Sequence, residues 1–401
     1  MDLSASERGR ELQAAMWELM RGRVFPAEPE VAAFHAQHGP HAYPPIIEDL
    51  KRAARSAGLW NSFLPDVSGL SVLDYAYLAE ISGWSPVLAP EAINGQAPDS
   101  GNMELLHLFG TPEQRRTWLD PLLAGEIRSA FAMSEPDVAS SDARNIETSI
   151  RRDGEDYVVN GRKWWISGVA DERCRVLIVM GKTDPQATAY RQQSMILVPM
   201  DAPGVTVERH LPLYGYQDQH GHSEMTFRNV RVPASTLLGG EGDGFALAQA
   251  RLGPGRVHHA MRGIGMAERA VALMADRARS RVAFGKHLSD FGRTQDFLAE
   301  SRIEIEQARL LVLKTAALID TVGAKEARTE VAAIKVVVPR MAERVIGRAI
   351  EVFGAQGLSD DTPLAYFHSW ARALRVVDGP DAVHLRSIAR EELARERPYV
   401  G

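Results

Sequence analysis

The spacing of apolar residues changes period twice along this chain, and few architectures accommodate that. From the N-terminus to about residue 128 the spacing is helical. Ile46, Ile47, Leu50, Ala53 and Ala54 recur on one face before a stop at Gly58. Val72–Gly83 repeats the pattern with Leu73, Ala76, Leu78, Ala79 and Ile81. Thr111-Pro112-Glu113-Gln114 opens a further helix, with Thr111 as N-cap, Pro112 in the first position and Gln114 completing a capping box. From about residue 129 to 240 the period shortens to that of strands. Val176–Met180 and Met195–Val198 are apolar runs of strand length, and Met225–Val232 alternates until Pro233. Asp156–Gly168 reads as two strands turned at Asn160-Gly161, a strong hairpin signal. From about residue 241 long helices return. Ile303, Leu310 and Ala317, with Leu311 and Leu318, form one stripe; Ile334, Val337, Val338, Met341 and Val345 form another. Such stripes belong to an antiparallel helical bundle. Pro339 should kink or restart the second of these helices.

Helix, sheet, then helix predicts a three-part α+β fold that is mainly α. The expected domains are helical over 1–128, β over 129–240 and a helical bundle over 241–401. With 401 residues, 45% of them hydrophobic, the chain can bury a core without disulfides or metals. A net charge of −6 argues against a nucleic-acid partner. The single cysteine, Cys174, excludes an intrachain disulfide and points to a reducing compartment, the cytoplasm. Arg173 and Arg175 could lower its pKa, but no base stands near it in sequence, so it is not read as a nucleophile. No apolar run reaches about 18 residues, so no membrane span is expected. His220-X-His222 and His258-His259 lack supporting Cys or carboxylate spacing, and adjacent histidines do not readily converge on one ion. No metal is expected.

The segment from Arg375 to His384 bears most directly on chemistry. Asp378 stands among Val376, Val377 and Gly379. Apolar surroundings disfavour the ionised carboxylate and raise its pKa, a tuning suited to removing a proton from carbon. The Asp-Gly-Pro order also spells a turn or a helix cap.

Five segments extend this reading. They are Phe131-Ala-Met-Ser-Glu-Pro-Asp-Val-Ala-Ser-Ser-Asp142, Lys163-Trp-Trp-Ile-Ser-Gly168, Arg281-Val-Ala-Phe-Gly-Lys286, Phe353-Gly-Ala-Gln-Gly357 and the Asp378 segment. Their order and spacing resemble the acyl-CoA dehydrogenase family, in one register from about residue 45 to about 392. Leu252-Gly-Pro-Gly-Arg-Val-His-His259 and Asp378-Gly-Pro-Asp381 are closest to the dehydrogenase portion of acyl-CoA dehydrogenase family members 10 and 11.

The resemblance implies an N-terminal helical domain, a central β-barrel-like domain and a C-terminal four-helix bundle. It implies FAD between the β domain and the bundle, shared across a subunit boundary, and hence a homodimer or homotetramer. Phe131, Met133 and Ser134 would then line the flavin, where hydrogen-bond donors suit its reduced form. Ser140 or Ser141 would meet the FAD pyrophosphate, or Ser141 the substrate. This chain has one residue more and fewer glycines there than the commoner family pattern. Trp165 would cover a flavin face and Ser167 reach N5, with Trp164 turned away because strand side chains alternate. Arg281, Phe284 and Gln295, with Gln356 and Gly357, match the set a neighbouring subunit offers to the diphosphate and adenine.

By the same resemblance Arg256 and Gly379 lie on the substrate side and Pro380 on the cofactor side. Some members carry a catalytic glutamate at the position of Gly255, which here has no side chain, and Asp378 occupies the family's other base position. The implied reaction is α,β-dehydrogenation of an acyl-CoA to a trans-2-enoyl-CoA, as in fatty acid β-oxidation, with Asp378 taking the α-proton and flavin N5 the hydride. Re-oxidation would fall to an electron-transfer flavoprotein. Most members use Glu where this chain has Asp, a reach shorter by about 1.5 Å, worth roughly a hundredfold in rate if uncompensated. Nitroalkane oxidase uses Asp on the same scaffold and is the alternative enzyme reading. A flavin-binding or helical interaction protein without turnover is the alternative from another class.

Overall fold

The computed structural model describes residues 2–396, apart from the side chains of residues 252–254. Of the 252–259 motif, the side chains of the first three positions therefore lie outside what is described. The N-terminal third is helical: α1 (Glu7–Leu19), α2 (Phe25–His38), α3 (Ile46–Ser56), α4 (Val72–Ser82) and α5 (Asp99–Phe109) carry it. α3 ends just before Gly58, and the capping box at Thr111 and Gln114 forms as expected. The last third holds α6 (Gly244–Ser280), α7 (Gly292–Val322), α8 (Arg328–Phe353), α9 (Leu364–Ala373) and α10 (Asp381–Ala394). The two helical parts pack on one apolar core, and Asp320 of α7 accepts the Val72 and Leu73 amides at 2.8 and 2.9 Å, capping α4 from a distance. Among the described residues, no helix is long and apolar enough to cross a membrane.

Between the helical parts lies an eight-stranded sheet with its own core. Its strands are β1 (Arg128–Ala132), β2 (Ser149–Asp153), β3 (Asp156–Ser167), β4 (Cys174–Lys182), β5 (Gln193–Pro199), β6 (Val205–His210), β7 (His222–Pro233) and β8 (Leu237–Leu238). The order is β6-β7-β3-β2-β4-β5-β8, with β1 parallel to β4. A buried charge group fastens the sheet to the first helical part. Arg128 of β1 is paired with Glu91 and Asp99, and Arg173 reaches Glu91 at 3.1 Å and Asp171 at 2.7 Å.

Three expectations need correction. Asn160-Gly161 is not a hairpin turn; β3 runs through it, and the turn joining β2 to β3 lies at Gly154. The glycine is there for close approach, since a Cβ on Gly161 would lie 2.2 Å from Thr148 Oγ1. Asn160 Oδ1 accepts from the Asn229 amide at 2.7 Å, supporting a bulge in β7. The stripe on α7 is only partly right: Ala317 is buried and Leu311 and Leu318 pack on the core. Ile303 and Leu310 are exposed, while Ile305, Ala308, Val312 and Ile319 face the core. Pro339 does not restart α8, which is continuous over Arg328–Phe353. Packing against α6, α7, α9 and α10 outweighs the roughly 3 kcal/mol an internal proline costs.

Candidate active site

Asp378 occupies the turn between α9 and α10. Its φ is +52°, a left-handed conformation unusual for a residue with a side chain, and Gly379 follows at +99°. A Cβ on Gly379 would stand 2.9 Å from His384 Nε2, so the turn requires glycine there. The Asp378 carbonyl is pinned twice, by Arg256 Nη2 and by His384 Nε2, each at 3.2 Å. Asp381 anchors the turn's far side, accepting from Arg340 Nε at 2.9 Å and Arg375 Nε at 3.0 Å. Lys335 of α8 is buried and donates to the Leu374 carbonyl at the end of α9. Of the two local readings, the turn holds and the cap does not: Pro380 is the N-cap of α10 and no side chain caps it.

The electrostatics around Asp378 differ from the sequence expectation. Val376 and Val377 point outward, 64% and 39% exposed. What surrounds the carboxyl instead is positive. Burial opposes its ionisation, but His259, Arg251, Lys335 and Arg256 outweigh burial and hold it below the usual carboxylate range. Burial and neighbouring cations in turn push His259 down to about 4. Its Nε2 lies 3.7 Å from Asp378 Oδ2. His259 and Arg251 stand one turn either side of Gly255 on α6, so all three share a helix face. A Cβ on Gly255 would meet nothing within 4 Å. Position 255 therefore shares the helix face that meets the Asp378 carboxylate, and the glycine leaves space there.

Arg251 links this turn to the sheet. Its guanidinium lies 4.2 Å over the Phe131 ring, and its Nε donates to Asn102 at 2.9 Å. Burial drives the nearby Glu104 carboxyl up to about 8, with Arg251 opposing. Beyond Phe131 the chain runs past Met133 and Ser134 alongside the end of β3. The Trp164 amide donates to the Ser134 carbonyl at 3.0 Å. Lys163, fully buried, donates to the Met133 carbonyl and to Glu135, both at 2.8 Å. Glu135 also accepts the Glu147 and Thr148 amides at 2.7 and 2.9 Å.

The two tryptophans do not alternate. A bulge between Lys163 and Ile166 carries them, Trp165 has φ +54°, and their rings meet edge-on at 6.4 Å. Trp165 stays 41% exposed, an indole face held open at the strand's end. Ser167 Oγ lies 2.8 Å from His222 Nδ1, and burial keeps that imidazole neutral. Ser140 is spent on the turn, accepting from the Glu135 amide at 2.8 Å, whereas Ser141 is exposed. Phe131 thus meets α6 through Arg251, while Trp165 and Ser167 meet α9 through His222, whose ring lies 5.9 Å from that of Trp370.

Arg281, Phe284, Gln295, Gln356 and Gly357 gather elsewhere, at the opposite end of the bundle. Arg281 caps α6, and Phe284, at φ +51° and 97% exposed, tips a hairpin between Val282–Ala283 and Lys286–His287. Arg277 lies over the Phe353 ring at 5.3 Å, bringing the 354–357 turn to the same end. Arg256 and Arg281 are separated along one helix by roughly 37 Å at 1.5 Å per residue.

Sequence reading missed Arg251, His259, Lys335 and the Lys163–Glu135 pair. For His259 the usable sequence signal is its four-residue spacing from Gly255. His258 turns the other way, its ring 4.6 Å from that of Tyr75. Cys174 is buried, and burial pushes its thiol up to about 12, which removes it as a nucleophile.

Two family models match the chain: "Acyl-CoA dehydrogenase, middle domain" over residues 130–230 and "Acyl-CoA dehydrogenase, C-terminal domain" over residues 242–393. Probable acyl-CoA dehydrogenase FadE2 of Mycobacterium tuberculosis is 60% identical, over 99% of this chain and 98% of that protein. Acyl-CoA dehydrogenase family member 11 of Gallus gallus is 53% identical over 97% of this chain, which spans 51% of that longer protein. Among solved structures, butyryl-CoA dehydrogenase from Megasphaera elsdenii superposes with a TM-score of 0.82 at 26% identity, covering 98% of this chain and 100% of that one. A glutaryl-CoA dehydrogenase from Mycobacterium smegmatis in complex with FADH2 shares the fold, with a TM-score of 0.81 at 23% identity over 98% of this chain and 96% of that one.

Proposed function

The chain belongs to the acyl-CoA dehydrogenase family, and within it we propose that this protein dehydrogenates an acyl-CoA at its α,β bond with Asp378 as the base. The observation that carries the reading is the placement of Asp378: a carboxylate held ionised on a built turn, beside the helix face that Gly255 leaves open. FAD is the cofactor, and when bound it accepts the hydride from the β-carbon. The rest of the chemistry falls to side chains and backbone. Asp378 takes the α-proton of the thioester.

The site's residues fit a flavin. The bulge at Trp165 leaves an indole face uncovered, and the segment 131–134 runs beside it. The Nδ1–H tautomer of His222 would leave the Ser167 hydroxyl proton free for flavin N5. Ser141, not tied into the turn as Ser140 is, is the better candidate for the substrate or pyrophosphate. Pro380 and Gly379 shape the turn that meets the acyl thioester. Arg256 acts on the base turn, since its contact is to the Asp378 carbonyl.

The roughly 37 Å between Arg256 and Arg281 supports a homo-oligomer. Arg281, Phe284, Gln295, Gln356 and Gly357 can serve the same FAD as Trp165 only when a second copy brings its far end to this one. An electron-transfer flavoprotein is the proposed acceptor, a role in fatty acid β-oxidation the proposed setting, and the cytoplasm the proposed location.

The test is anaerobic titration of the flavin-loaded protein with a panel of acyl-CoAs. A matching acyl-CoA should bleach the oxidised flavin band, and Asp378→Asn should abolish bleaching while binding persists. Bleaching by the Asn variant would remove Asp378 from the mechanism. Bleaching by nitroalkanes without acyl-CoAs would select the alternative enzyme reading.

A further inference from the structure

A carboxylate that removes a proton from carbon has to be ionised before substrate arrives, and its lone pair has to be aimed. Several cationic groups surround Asp378, but they do different work. Arg256 and His384 hold its main-chain carbonyl, each at 3.2 Å. Lys335 holds the Leu374 carbonyl, and Arg251 is bonded to Asn102 and lies over Phe131. Among the described residues, His259 is the one basic side chain within 4 Å of the Asp378 carboxylate, its Nε2 at 3.7 Å from Oδ2.

We propose that His259 is the positioning residue of the base, holding Asp378 Oδ2 toward the cleft and keeping the carboxylate ionised in the free site. The inference rests on Asp378 being the base. The contact is longer than a hydrogen bond, as resting-state catalytic pairs often are. The helix supplies the geometry. His259 follows Gly255 by four residues, so the ring leans over a position with no side chain to obstruct it. Behind the ring is a cavity of about 10 Å³ lined by His259, Lys335, Ile334 and Leu374. That is room for about one water, so the imidazole has few partners other than Asp378.

The charges facing the pair come from four elements. α6 contributes Arg251, Arg256 and Arg262, with the uncharged His258 turned away toward Tyr75, and α8 contributes Lys335. α10 contributes Asp381 and His384, and α5 reaches the pair only through Glu104 beside Arg251. Each remains when His259 alone is changed. The sign of the effect is then fixed. Above about pH 4 the imidazole is neutral, so it favours the anion only through an Nε2–H turned toward Oδ2; its loss removes that donor, leaves burial less opposed and moves the carboxyl upward.

The experiment uses the flavin-loaded protein and a 3-oxoacyl-CoA of the chain length that bleaches the wild-type flavin best. That compound can lose its α-proton but has no hydride at C3, so the charge-transfer band of its enolate over oxidised flavin reads proton removal alone. The C–H electron pair stays on the ligand, and the proton goes to Asp378. The band is followed from pH 4 to 8. In His259→Phe the acidic midpoint should rise by about one pH unit. In His259→Gln, which keeps an N–H donor that does not titrate, at least half of that shift should be recovered. If His259→Phe does not fold, His259→Ala with added imidazole reads the same limb, and imidazole should restore the midpoint. An unchanged midpoint in the Phe or Ala variant would overturn the role of His259. The band persisting in Asp378→Asn would instead overturn the reading of Asp378 as base.

Discussion

Replacing Asp381 by Ala should slow proton removal about 10- to 100-fold while the protein stays folded. Asp381 Oδ2 accepts from Arg340 Nε at 2.9 Å and from Arg375 Nε and Nη2 at 3.0 and 2.9 Å. Fully desolvated, hydrogen bonds to charged groups contribute about 1.5–3 kcal/mol each. Here both arginines are partly exposed, and Arg375 keeps Glu343 at 2.8 Å, so solvent and the second partner reduce each contact to about 1 kcal/mol or less. Loss of an acid from the first turn of α10 adds about 0.5 kcal/mol. The turn that carries Asp378 should lose about 2–3 kcal/mol in all. Its other ties, from Arg256 and His384 to the Asp378 carbonyl, keep it near the cleft but do not fix its far end. A base displaced by up to about 1 Å forfeits up to a hundredfold in rate. Anaerobic stopped-flow of flavin reduction at saturating acyl-CoA should therefore fall about 10- to 100-fold, with the thermal midpoint lowered by only a few degrees. If reduction stays within twofold of wild type while the midpoint falls as expected, the Arg340–Asp381–Arg375 clamp does not place the base, and this account of the turn is wrong.

Two further substitutions probe buried lysines. Lys163→Met leaves the Glu135 carboxylate buried with only the Glu147 and Thr148 amides as partners and the Met133 carbonyl without a donor, so urea unfolding should show a loss of about 3 kcal/mol. A loss under about 1 kcal/mol would mean the two amides suffice. Burial pushes Lys335 down to about 8 from an ordinary lysine value of 10.5. The folded state thus releases that proton earlier than the unfolded chain, and stability should rise between about pH 8 and 10.5. The full shift corresponds to about 3 kcal/mol at 1.4 kcal/mol per unit. Lys335→Met should flatten this rise in unfolding measurements at several pH values, and an unaltered slope would refute it.

The order of helix, sheet and helix was legible because each period is enforced by one-sided burial over many residues. The failures lie where one residue answers to two neighbours. Gly161 looked like a turn because glycine after asparagine favours one, yet the residue that needed the space was Thr148, on a segment the local sequence does not mention. Ile303 and Leu310 carry a helical period that is sound, but period alone does not say which side of a helix meets the bundle. Pro339 was given its local cost without the packing of α8 on four other helices.

The site shows the same division more sharply. Asp378 was identifiable, but its chemistry was inferred from Val376 and Val377, its neighbours in sequence, and both point away from it. Its neighbours in space come from α6 and α8, and they reverse the direction of its shift. A base held below the usual carboxylate range gives up proton affinity, and in return it is unprotonated whenever substrate arrives. Its driving force then has to come from the bound complex, where an acyl chain displaces water and burial counts for more against the same fixed cations. Aspartate suits that arrangement. A shorter side chain leaves fewer rotamers to restrain, and the left-handed turn at Asp378, held through its own carbonyl by Arg256 and His384, places the carboxylate by moving backbone where a glutamate would extend side chain.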